Sequence, residues 1–185
     1  MVDRALEIAY NFLYGSVAGK NQRSYLFNPV KTALNCNTQQ EKIVALFHSD
    51  PPLVHDQREL ENLKEEGFAS DITDAIACLM KLRKHHQRKR EDYDHFMKRI
   101  VTDDIAFQVV KIQDQVKDEN KENPINNALE IAWENHSEQL DKNGKSYILY
   151  LIKKALHCNT EDEKIGVLLH DDTTNEIKLI KDIKK

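Results

Sequence analysis

ALNCNTQQEKIVALFHSD (33–50) and ALHCNTEDEKIGVLLHDD (155–172) are one segment written twice, identical at eleven of eighteen positions. Each carries Thr-x-x-Glu at the same place, Thr38 with Glu41 and Thr160 with Glu163. In that spacing a Thr hydroxyl and a Glu carboxylate reciprocally cap the first turn of a helix. A matching apolar set follows, Ile43, Leu46 and Phe47 in one copy and Ile165, Leu168 and Leu169 in the other. The segment therefore reads as a capped helix with a packing face. The copies part at their ends, where one has His48-Ser49 and the other His170-Asp171.

The duplication extends outward on both sides. ALEIA occurs at 5–9 and again at 128–132, and Ser-Tyr followed eight residues later by Ala-Leu occurs at 24–34 and 146–156. Apolar spacing is helical throughout. Leu6, Ala9, Tyr10 and Leu13 fall at i, i+3, i+4 and i+7, as do Leu129, Ala132, Trp133 and His136. Ile72, Ala75, Ile76, Leu79 and Met80 extend the pattern, and Tyr93, Phe96, Met97 and Ile100 repeat it. Gly67 reads as a helix stop before Ser70 opens the next helix. Five glycines and few alternating β-branched runs argue against sheet, so the expected fold is all-α. KDENKENP (117–124) is the natural linker, giving a full helical unit over 1–122 and a partial repeat of its first helices over 123–185. The partial repeat has no counterpart of 70–118 to cover its apolar stripes. It is expected to dock on the first unit or on another chain, which favours a homodimer.

Charge is unevenly spread over the 185 residues. The net charge is −4, yet KLRKHHQRKR (81–90) holds six Lys/Arg, two His and no acid, leaving −10 on the remainder. An acidic body with one basic stretch is a poor general nucleic-acid binder but suits a phosphorylated small molecule; the plainer reading is a solvated loop. Cys36, Cys78 and Cys158 are widely spaced, match no zinc signature and read as reduced core thiols of a cytoplasmic protein. No run approaches the ~18 apolar residues of a spanning helix, so no membrane association is expected. No cysteine or serine has a convincing local partner for nucleophilic catalysis, and the sequence carries no glycine-rich phosphate loop or dinucleotide fingerprint.

The order of these segments resembles HD-domain phosphohydrolases, in particular the stringent-response branch that hydrolyses (p)ppGpp. The resemblance is carried by ALEIAWENHSEQLDKNGKSYI (128–148) and EKIGVLLHDD (163–172), and in the first copy by ELENLKEEGFASDITDAIACLMK (59–81), EDYDHFMKRI (91–100) and DDIAFQVVKIQDQVKDEN (103–120). It implies an HD-domain-like helical bundle. It further implies a metal ion held by a histidine just after Tyr-Ile, by the His-Asp pair and by a late aspartate. An imidazole and carboxylate set of that kind suits Mn²⁺, which would polarise a phosphoryl group and activate water.

Neither copy carries the whole set. The first histidine position is Asn28 in copy one and Tyr150 in copy two; the pair is His48-Ser49 or His170-Asp171; the late aspartate is present only as Asp114. The two acids that follow the pair in the hydrolases are replaced by Pro52 and Leu53, or by Thr174 and Asn175. Asp114 continues the Ala106–Val110 line at i+4, which predicts a partly buried carboxylate in need of a metal or hydrogen-bonding partner. His136, on the apolar stripe, reads as a packed histidine before a ligand.

Three functions stay open. One is a non-catalytic HD-like protein that keeps a nucleotide-binding or protein-interaction role and needs no cofactor. Its Lys81, Arg83, Lys84 and Arg88, with neighbouring Lys89 and Arg90, would meet the phosphates of a guanine nucleotide, although Met80 stands where the family has a hydroxyl. Another is a Mn²⁺-dependent phosphohydrolase with a composite site from His170, Asp171, Asp114 and His48, His136 being a further recruit. The third is an oligomerisation or adaptor module.

Overall fold

The computed structural model describes residues 1–13, 17–18, 23–48, 53–118, 122–140 and 144–170. Ten helices run through them: α1 Val2–Leu13, α2 Phe27–Leu34, α3 Gln39–Phe47, α4 Gln57–Glu65, α5 Ser70–Lys84, α6 Tyr93–Ile100, α7 Asp104–Lys117, α8 Pro124–His136, α9 Tyr147–His157 and α10 Glu161–Leu168. Extended structure is limited, among the described residues, to an antiparallel pair of two-residue strands, β1 Val17–Ala18 with β2 Arg23–Ser24, and one isolated bridge, Leu140 with Ser146. The fold is all-α. The chain divides into two compact units, Met1–Asn126 and Asn127–Lys185, so the division falls in the first turn of α8.

Unit 1 is built around α3. Six successive residues of it, Lys42 to Phe47, are buried, which marks a central helix and not a surface one. Helices α1, α2, α5 and α7 all pack against it. Its start is the capping box expected from the sequence: Thr38 Oγ1 accepts from the Glu41 N–H at 3.1 Å, while the Glu41 carboxylate accepts from the Asn37 and Thr38 N–H groups at 2.9 and 3.1 Å. Helix α5 contributes Ile72, Ile76 and Leu79, and α7 contributes Ala106, Val109, Val110 and Val116.

Gly67 ends α4 as expected. It sits at φ +88°, its N–H reaches the Lys64 carbonyl at 3.0 Å, and the Phe68 N–H reaches the Leu63 carbonyl at 3.1 Å. This six-to-one closure needs the left-handed conformation that glycine adopts without steric cost. It delivers the Phe68 ring edge-on to Phe47, with centroids 5.4 Å apart. Helix α6 buries less than its spacing predicts, since Phe96 and Met97 are inside while Tyr93 is exposed.

Three asparagines tie the C-terminal end of α2 to the start of α8 within unit 1. Asn35 Nδ2 donates to Asn126 Oδ1 at 3.0 Å and Asn123 Nδ2 donates to Asn35 Oδ1 at 2.8 Å. Asn123 also caps α8, accepting from the Asn126 N–H at 2.9 Å ahead of Pro124 at the first helical position.

Unit 2 repeats the α2–α3 arrangement with α9 and α10. Helix α9 buries Ile148, Leu151, Ile152, Ala155 and Leu156, and α10 opens on the second expected capping box, Thr160 with Glu163. Leu129, Ala132, Trp133 and His136 of α8 are buried. Helix α10 differs from α3 in one respect: only Lys164 and Leu168 of it are buried. All three cysteines are free; Cys36 and Cys78 lie in the core as expected, whereas Cys158 is only half-buried. Among the described residues no helix is long and apolar enough to cross a membrane.

Candidate functional site

His48 is the C-cap of α3, its N–H closing the helix onto the Val44 carbonyl at 2.9 Å. The half-buried ring shares a small cleft, about 10 Å³, with Val54 and with Ile76, Leu79, Met80 and Arg83 of α5. Arg83 Nη2 stands 3.3 Å from His48 Nδ1. A guanidinium can only donate, so Nδ1 accepts and its lone pair is committed to Arg83. Burial, reinforced by the Arg83 and Lys117 charges, pushes the ring down to about 4, against the upward pull of its hydrogen bond with Gln113. His48 is therefore neutral at physiological pH, held between two cations.

This donor set does not suit a divalent cation. The one imidazole lone pair facing the cleft is taken, and Arg83 and Lys117 supply positive charge where a metal would need negative charge. Ser49, Pro51 and Pro52, which follow His48, lie outside the described residues.

Asp114 corrects the sequence expectation. It is exposed, not partly buried. The buried line of α7 runs through Ala106, Val109, Val110 and Val116, and Asp114 lies off it. Its carboxylate accepts from the Tyr93 hydroxyl at 2.6 Å. Burial and that carboxylate together hold the Tyr93 phenol up at about 12. Gln113, one residue earlier, is the α7 side chain that meets His48. Among the described residues no three His, Cys, Asp or Glu side chains gather as a metal site.

His170 belongs to unit 2, exposed just beyond α10, and Asp171 lies outside the described residues. With Tyr147, Tyr150, Leu151, Lys154 and Val167 among the lining residues, His170 borders an open cleft of about 490 Å³ between α9 and α10. His136 is a packed histidine, as its position on the stripe predicts: it is buried, meets Gln139 Oε1 through Nδ1 at 3.0 Å, and stands edge-on to Tyr147.

The basic stretch is divided by the structure. Lys81 and Lys84 lie exposed on the last turn of α5, and Arg88 is exposed in the loop beyond; Arg83 alone turns to His48. Glu91 organises the loop. Arg99 of α6 grips its carboxylate with two bonds of 2.7 and 2.8 Å, and the Arg88 N–H adds a third at 2.8 Å. Those bonds, Arg99 first, hold the Glu91 carboxyl down at about 2. Arg90 takes a left-handed φ of 70°, a conformation that costs a non-glycine residue energy. No family model matches the chain, and no curated protein matches it.

Proposed function

We propose that this protein is an HD-domain-like helical module that has given up metal-dependent hydrolysis and keeps a binding role, with a phosphorylated guanine nucleotide as the ligand suited to its basic segment. The observation that carries the reading is the Arg83–His48 pair. A guanidinium stands against the one histidine that copy one retains of the expected ligand set, and the ring is kept neutral beneath it. Asp114, the other retained ligand, is engaged by Tyr93. Lys81, Lys84 and Arg88 remain exposed at the end of α5 and in the loop that Glu91 braces, where phosphate oxygens can be met in water.

The test has two arms. Calorimetric titration of metal-stripped protein with Mn²⁺ is expected to show no saturable site up to about 1 mM. Titration with a guanosine tetraphosphate is expected to saturate without phosphate release, and to weaken at least about tenfold in Lys81→Glu/Lys84→Glu/Arg88→Glu. One-site Mn²⁺ binding lost in His170→Ala, accompanied by hydrolysis, would overturn the reading in favour of the composite hydrolase.

A further inference from the structure

The internal repeat supplies its own control. Ile43 and Ile165 are the same residue at the same place on corresponding helices, yet Ile43 is 2% exposed and Ile165 only half-buried. Val44 is fully buried, and its counterpart Gly166 is exposed. Phe47 is 2% exposed, and its counterpart Leu169 is 45% exposed. In unit 1, α5 and α7 both pack on α3, and α7 packs on α2 as well. In unit 2 the corresponding α9/α10 pair borders the open cleft of about 490 Å³.

We infer that the α9/α10 cleft of unit 2 is a docking site for an amphipathic helix of a separate protein, seated as α7 is seated in unit 1. Unit 1 defines the chemistry of the occupant. The buried stripe of α7, which packs on α2 and α3, consists of small aliphatic residues, Ala106, Val109, Val110 and Val116. The cleft in unit 2 is shaped for the same close approach, since Gly166 presents no side chain and an added Cβ there meets no atom within 4 Å. The rim differs in charge. Lys154 stands where unit 1 has Thr32, its ammonium 4.5 Å over the ring of Tyr150, which in turn stacks on Tyr147. Glu163 is already committed to capping α10. The occupant is therefore a helix with an Ala/Val stripe flanked by an acidic residue that meets Lys154. This role does not depend on whether unit 1 binds a nucleotide.

The test uses the full chain and, as probe, a fluorescent peptide of residues 103–118, which carries the α7 stripe and its own acids. Anisotropy is expected to show saturable binding below about 1 mM. Gly166→Glu, which projects a charged side chain into the cleft from a position with room for it, is expected to weaken binding at least about tenfold. Gly166→Ala is the folding control and is expected to bind within about twofold of the parent. Absence of saturable binding, or equal binding by Gly166→Glu with unchanged ellipticity, overturns the inference. Sedimentation of the chain alone as a dimer that Gly166→Glu dissolves would also overturn it, because the occupant would then be a second copy.

Discussion

Arg83 Nη2 and His48 Nδ1 face each other across 3.3 Å, an arginine of α5 donating to the histidine that closes α3. The pair makes stability depend on pH. The folded ring stays neutral down to about pH 4, while in the unfolded chain it takes a proton at its ordinary value of 6.5. The unfolded state therefore binds more protons between those values, and stability falls as pH drops through that window. Urea unfolding at about pH 7 and about pH 4.5 is expected to show a loss of about 2 kcal/mol in the parent, after allowance for screening. The corresponding loss should be absent from His48→Gln.

The capping boxes are expected to matter equally in each copy. Thr38→Ala and Thr160→Ala each remove a side-chain acceptor from the third helical N–H. Each should cost about 1 kcal/mol, read as a shift in denaturant midpoint at unchanged slope.

Glu91 is expected to govern the accessibility of the basic loop. Glu91→Gln keeps the size but weakens the bidentate pairing with Arg99. Limited trypsin digestion should then cut after Arg88, Lys89 or Arg90 several-fold faster than in the parent, without a change in ellipticity. An unchanged rate would mean that the loop is not held by this carboxylate.

Asn35 is the hub of the amide network at the start of α8, donating to Asn126 and accepting from Asn123. Asn35→Ala leaves both partners short of a bond, Asn126 at a buried position. A destabilisation of about 1–3 kcal/mol is expected in chemical unfolding.

The all-α architecture was legible because helical information is local. Thr38, Glu41, Thr160, Glu163 and Gly67 act within a turn of where they stand, and each does what its neighbours in sequence imply. The site was less legible because it depends on how helices are rotated against one another. Arg83 was grouped with Lys81, Lys84 and Arg88 by composition. It lies four residues beyond Leu79, the last buried residue of α5, and that spacing was the available signal for its contact with His48. Gln113 and Lys117 of α7 likewise act on His48 from another helix, and composition says nothing of them. Asp114 was placed by i+4 spacing alone, which ignores the competing attraction of the Tyr93 hydroxyl on another helix.

Trp133, buried on α8 within unit 2, is the only tryptophan of the chain. Its emission is consequently a local witness. It reports the surroundings of Trp133 alone, whereas far-ultraviolet ellipticity sums the helices of both units. Followed together through a denaturant ramp, the two signals turn a single indole into a gauge of cooperativity. Superimposed curves would describe a repeat that unfolds as one unit, and separated curves one whose halves melt independently.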